Sequence, residues 1–142
     1  MTFKPRALPW LAVVCASPWV AVWVAHGAGW PLRPANGWGL CWALVGSPWL
    51  EEWVYRAGVQ RPVAAHLALT RPEVSVWRTG MAANAVAVLC MVAVHAPAHG
   101  WAACAWGVPA VVLGELFRQT QRVWPCVALH AWFNASLWWA SR

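Results

Sequence analysis

Apolar runs of membrane-crossing length, separated by short charged or Gly/Pro-rich breaks, organise this chain. The first run covers about 7–26 and is followed by the loop "GAGWPLRPANG" (27–37). The second covers about 38–58. A stretch over 59–79 carrying Arg61, Arg71 and Arg78 reads as interfacial. The third run, about 80–97, is ended by "HAPAHG". The fourth, about 101–117, leads into the polar link "RQTQR", and the fifth, about 124–139, follows it. Within the second run, Ser47–Pro48 reads as a cap and first helical turn, marking a restart or kink. The pattern predicts an all-α fold, a polytopic membrane helix bundle of about five transmembrane helices. One integral membrane domain is expected over 1–142, with a first helix and loop at 1–36 and a core at 37–142.

Composition supports the same reading. The chain is 142 residues long, 61% hydrophobic and 10% charged, with too few polar side chains to cover a soluble globule of this size. An integral membrane protein is the class that remains. The net charge of +6 comes from isolated arginines between apolar segments and not from a basic patch with interleaved aromatics, which argues against a nucleic-acid partner. The five cysteines (Cys15, Cys41, Cys90, Cys104, Cys126) form no CxxC pair and read as small buried hydrophobes rather than a disulfide or zinc framework.

Charge placement suggests orientation. With a cytoplasmic N-terminus, Lys4, Arg6, Arg61, Arg71, Arg78, Arg118 and Arg122 fall on the inner side and Arg33 and Arg142 on the outer. Trp30, Trp38, Trp101, Trp124 and Trp138 flank the runs as an interfacial aromatic belt would. The run from Ala7 to Ala25 is too long for an ordinary signal-peptide core and reads as a retained first span. The bilayer is therefore the expected environment.

Against this background, "GSPWLEEWVYRAG" (46–58) is anomalous. The chain has four acidic residues and no aspartate, yet Glu51 and Glu52 stand side by side in an apolar run. An ionisable residue at membrane depth costs about 2.5–3.5 kcal/mol on insertion scales. On an α-helix Glu52 and Arg56 are four apart and pair directly, whereas Glu51 points about 140° away from Arg56. Glu52–Arg56 thus reads as a structural ion pair, and Glu51 as a carboxylate with another partner. A wet, interfacial position for both acids is the competing explanation.

Candidate partners are histidines. His130 and Asn134, in "ALHAWFNAS", share one face of the fifth span. A plain interhelical hydrogen-bond pair is their alternative role. His95 ends the third span just before Pro97; His99 reads as a loop residue and His26 as interfacial. Glu115 precedes Arg118 and Gln119 by three and four residues and reads as a helix-end pair, with a contact to a basic substrate cluster as the alternative. Together Glu51, His95, His130 and Asn134 supply a general base, a second proton-handling group and two hydrogen-bond donors, a set able to hydrolyse an amide. No GxSxG or HExxH competes with it.

These residues resemble a family. Glu51-Glu52-Trp53-Val54-Tyr55-Arg56 matches the EExxxR motif of the CAAX-protease and bacteriocin-processing (CPBP) intramembrane proteases. Met91-Val92-Ala93-Val94-His95 matches FxxxH with Met in place of Phe, and His130-Ala131-Trp132-Phe133-Asn134 matches HxxxN. The three occur in the family's order over about 45–140. The resemblance implies a glutamate-dependent endopeptidase in which Glu51 and His95 activate water, His130 and Asn134 form the oxyanion hole, and Glu52–Arg56 supports the site. It implies no cofactor. A divalent metal such as zinc stays open, the metal-free route being favoured because only two well-placed histidines stand beside the acids.

The implied partner is a membrane protein substrate with a hydrophobic C-terminal segment. The small size resembles bacterial members that process C-terminal sorting tails, a resemblance that implies a bacterial inner membrane as the expected location. Two alternatives compete: a non-catalytic peptide-binding or immunity-type protein of the same fold, and a small membrane haem protein with His95 and His130 as axial ligands. One difficulty is depth. With the N-terminus inside, Glu51 and His130 fall about 10 Å from the inner face, while His95 lies near the outer end of its helix.

Overall fold

A backbone in lipid must close its hydrogen bonds internally, and a helix does so within one segment. The computed structural model describes residues 12–17, 19–20, 23 and 37–140, and every regular element among them is helical. α1 (Gly37–Cys41), a π-helical segment (Trp42–Gly46), α2 (Ser47–Glu52), a second π-helical segment (Trp53–Gln60) and α3 (Arg61–Thr70) follow one another without a break. After a turn come α4 (Val76–His99), a 3-10 turn (Gly100–Ala103), α5 (Cys104–Thr120) and α6 (Val123–Ala140).

Several sequence expectations change here. The stretch 59–79 is not an interfacial link: helix continues through it to Thr70. Pro72 then forces the turn, because the residue before a proline is driven out of the α region, and Arg71 sits at φ −134°, ψ 59°. Ser75 starts the next helix, its hydroxyl accepting from the Arg78 amide at 3.4 Å. Pro97 does not end α4; the helix runs to His99, which is helical and not a loop residue, and stops at Gly100. Gly100 adopts φ 57°, ψ −139°, a conformation that side chains disfavour. Ser47–Pro48 is no restart either, since Ser47 is itself helical.

The chain divides into two compact units, Leu50–Cys126 on one hand and the two flanking segments, up to Trp49 and from Val127, on the other. In the central unit α4 and α5 form an antiparallel hairpin. Gly80 lies against Arg118, Asn84 against Gly114, and Gly107 against Val88 and Val92. Small residues allow this close approach, as at helix contacts within membranes. The second π-helical segment runs parallel to α5, with Arg56 reaching Ala110 and Gln60 reaching Gly114. It is therefore antiparallel to α4. Tyr55, Met91 and Ala110 form the buried cluster where the three meet.

Val76–Thr120 is the one helical stretch among the described residues that is long and apolar enough to cross a membrane. Only 22% of its most apolar window is buried, so most of that surface faces outward, unlike the core helix of a soluble protein. This stretch is folded back on itself at Gly100, and a bundle of five spans is not what these criteria identify.

In the flanking unit, α6 is tied to the first of the described helical residues: the Trp132 indole donates to the Ser17 hydroxyl at 2.8 Å and to the Val14 carbonyl at 3.1 Å. The predicted first span over 7–26 otherwise lies largely outside the described residues. So do the loop at 27–36 and the Lys4, Arg6, Arg33 and Arg142 used to argue orientation.

Candidate active site

Glu52 and Arg56 are both fully buried and joined by an Nε–Oε2 bond of 2.8 Å. The i,i+4 spacing brings them together, as local geometry requires. The guanidinium is held further than the sequence suggested. Its Nη1 donates to the Gln60 side-chain Oε1 at 3.1 Å and its Nη2 to the Ala110 carbonyl at 3.1 Å, while Gln60 Nε2 donates to the Gly114 carbonyl at 2.9 Å. A buried ion pair repays its desolvation only when its remaining donors are satisfied, and here the Gln60 side-chain oxygen and the Ala110 carbonyl of α5 accept from the guanidinium.

Glu51 is half-buried on the last turn of α2, next to Glu52 but on another face. Arg56 takes Glu52 as its carboxylate partner. The division of the two acids expected from helical angles therefore stands for Glu52–Arg56.

His95 lies on α4 one turn beyond Met91. Its Nδ1 is 2.9 Å from the Met91 carbonyl. A carbonyl only accepts, so Nδ1 carries the proton in the neutral ring and Nε2 is left as the basic nitrogen. Trp106 packs edge-on against the ring at 5.9 Å, and the His99 ring lies parallel to it at 6.3 Å. Met91, standing where the EExxxR families carry Phe before the histidine, is buried against Tyr55 of the glutamate motif.

That contact bears on depth. Tyr55 is level with Met91 and the two helices are antiparallel, so one turn further along each, Glu51 and His95 reach the same height. Glu51 stands nineteen residues before Thr70, and His95 nineteen residues after Val76. The mismatch expected from the apolar runs arose from ending the second helix at residue 58. Its true end lies twelve residues later and α4 starts four residues earlier than the apolar run, which brings both residues to nineteen positions from the turn.

His130 and Asn134 belong to the flanking unit, four residues apart on α6. Asn134 Nδ2 donates to the Ala43 carbonyl at 2.7 Å. The reason is local. In the first π-helical segment the Ser47 amide bonds to the Trp42 carbonyl, so Ala43 would next accept from residue 48, which is proline and has no N–H. Pro48 orphans a carbonyl and Asn134 satisfies it.

Glu115 binds Arg118 through both carboxylate oxygens and also accepts from Gln119, so the expected helix-end pair forms. Among the described residues no three of His, Cys, Asp and Glu are grouped to hold a metal ion. Four buried polar residues escaped sequence reasoning, Gln60, Thr79, Asn84 and Ser136, and the two amides among them make cross-helix bonds. Gln60 completes the stripe 52, 56, 60. Asn84 donates to the Val111 carbonyl at 3.0 Å across the hairpin. An amide inside an apolar run, as in "MAANAVAV", was the signal available for Asn84.

Residues 33–136, more than two thirds of the chain, match the family described as type II CAAX prenyl endopeptidase Rce1-like. No curated protein and no solved structure matches the chain. The matched span contains all three motifs.

Proposed function

From the premise that this chain belongs to the Rce1-like family of type II CAAX prenyl endopeptidases, a family of membrane-embedded proteases, we propose a glutamate-dependent intramembrane endopeptidase. Glu51 takes a proton from a water molecule, assisted by His95 Nε2. The water oxygen bonds to the scissile carbonyl carbon, and the carbonyl oxygen takes up the negative charge. His130 and the second Asn134 N–H stabilise that oxyanion. Collapse breaks the C–N bond, and the proton held by Glu51 goes to the leaving amine. Glu52–Arg56 holds the backbone beneath Glu51 in place. The substrate is a membrane protein with a hydrophobic C-terminal segment. The protein sits in the bacterial inner membrane with its N-terminus in the cytoplasm, about five helices crossing.

The observation carrying this reading is the shared height of Glu51 and His95 beside a fully satisfied buried Glu52–Arg56 pair. Co-expression with a membrane-anchored reporter bearing a hydrophobic C-terminal segment tests it. Glu51→Gln keeps shape and removes the base, so cleavage should fall by roughly 10²–10⁴-fold at unchanged expression. A Glu51→Gln protein cleaving at the wild-type rate would end the proposal.

A further inference from the structure

Gln60 lies outside every motif that the family resemblance uses, yet it is 3% exposed in a segment first read as interfacial. Both ends of its amide are engaged. The oxygen accepts from Arg56 Nη1, and the nitrogen donates to the Gly114 carbonyl. Glu52, Arg56 and Gln60 stand at successive intervals of four, forming one stripe. Arg56 and Gln60 dock two successive turns of α5, at Ala110 and Gly114, each 54 residues away in sequence.

The same α5 segment receives donors from two more elements: Asn84 of α4 at Val111, and the Cys126 thiol at Leu113, 3.4 Å away. Four of the five carbonyls over 110–114 thus carry a side-chain donor. Segments of this kind act as rigid seats, because each bond is made in surroundings without competing water.

We infer that Gln60 is a positioning residue: it fixes the orientation of the Arg56 guanidinium, and through it Glu52 and the turn that carries Glu51, against α5. This rests on the reading of Glu51 as the catalytic base. A guanidinium held only at Glu52 could swing about its Cδ–Nε bond. Bonds at Nη1 and Nη2 remove that freedom. Gln60 alone both accepts from the guanidinium and donates to α5, so it transmits the seat's rigidity to the ion pair. Misplacing a catalytic group by about 1 Å costs up to 10²-fold in rate.

The test compares Gln60→Met, which has similar length but makes neither bond, with Gln60→Glu, which keeps the acceptor for Arg56 and loses the donor to Gly114. Arg56 is the only fully buried arginine among the described residues, so in 15N-arginine-labelled protein its Nε–H should be the slowly exchanging one. Activity per folded molecule is measured on the detergent-solubilised reporter with a hydrophobic C-terminal segment used above. Gln60→Met should speed Arg56 Nε–H exchange and lower kcat about tenfold with KM nearly unchanged. Gln60→Glu should keep exchange slow and lose less activity.

Slow Arg56 exchange with wild-type kcat in Gln60→Met would overturn the inference. So would equal losses in both variants that track only the fraction of unfolded protein. Glu51→Gln run alongside separates the two levels: full activity there removes the proposed function itself. Loss in Glu51→Gln with none in Gln60→Met removes only the role of Gln60. The exchange readout needs no substrate.

Discussion

The Asn134 amide serves the backbone: one of its two N–H groups covers the carbonyl that Pro48 orphans. In the mechanism proposed above the other N–H is the one that meets the oxyanion. Asn134→Ala should therefore cost about 1 kcal/mol of stability in addition to activity, the low end of the penalty for an acceptor left unmade, because the bond is part-buried. In a Pro48→Ala background, where residue 48 regains its N–H, the penalty should shrink. Equal losses of thermal midpoint in the two backgrounds would refute the link. Glu52→Gln should be worse, by about 3–5 kcal/mol, because it leaves Arg56 charged, buried and without a counter-ion. Detergent-solubilised protein melts or aggregates earlier if so. The Glu52–Arg56 pair was legible from spacing because four residues on a helix are neighbours whatever surrounds them. Gln60 sits four residues further on and was just as local. It went unread because "VQRP" resembles the wet end of a span, and only the continuation to Thr70 buries it.

At the scale of elements, the α4–α5 hairpin depends on Gly114. A β-carbon there would stand 1.7 Å from Asn84 Oδ1, an oxygen with no hydrogen-bond partner of its own. That oxygen packs against the Gly114 backbone, the sort of close approach in which weak Cα–H contacts form. Gly114→Ala should push Asn84 aside, break its bond to Val111 and cost about 1–3 kcal/mol. Adding Asn84→Ala should return part of that loss, and a double-mutant cycle with no coupling would count against the packing described. Element boundaries were the least legible part of the sequence. Apolar content ends where polar residues begin, but helices end where hydrogen bonding fails. Pro72 and Gly100 mark those failures better than Arg61 or Pro97 do. The π-helical segments left no trace in the apolar pattern, since they arise from backbone register around Pro48 and Arg56.

For the molecule as a whole, the arginines of the central unit other than the buried Arg56 concentrate at one end. Arg71 sits in the α3–α4 turn, Arg78 on the first turn of α4, and Arg122 after α5. Arg61 donates to the Gln121 carbonyl at 3.3 Å, and Arg118 lies against Gly80. With that end cytoplasmic, a membrane-impermeant thiol reagent should reach a cysteine placed by Glu73→Cys only from the inside. It should reach the exposed Cys104 near Gly100 only from the outside, with Cys104→Ala as control. The opposite labelling would invert the orientation. Composition and the order of apolar runs determined, without any structure, that the chain is helical and lipid-facing, and spacing alone paired Glu52 with Arg56. Such facts are local: they depend on residues within a turn or on totals over the chain. The height of His95, the seating of Arg56 on Ala110 and the employment of Asn134 were decided only by tertiary structure. Each depends on a backbone carbonyl or an antiparallel register brought in from residues dozens of positions away, and no window of sequence contains both partners.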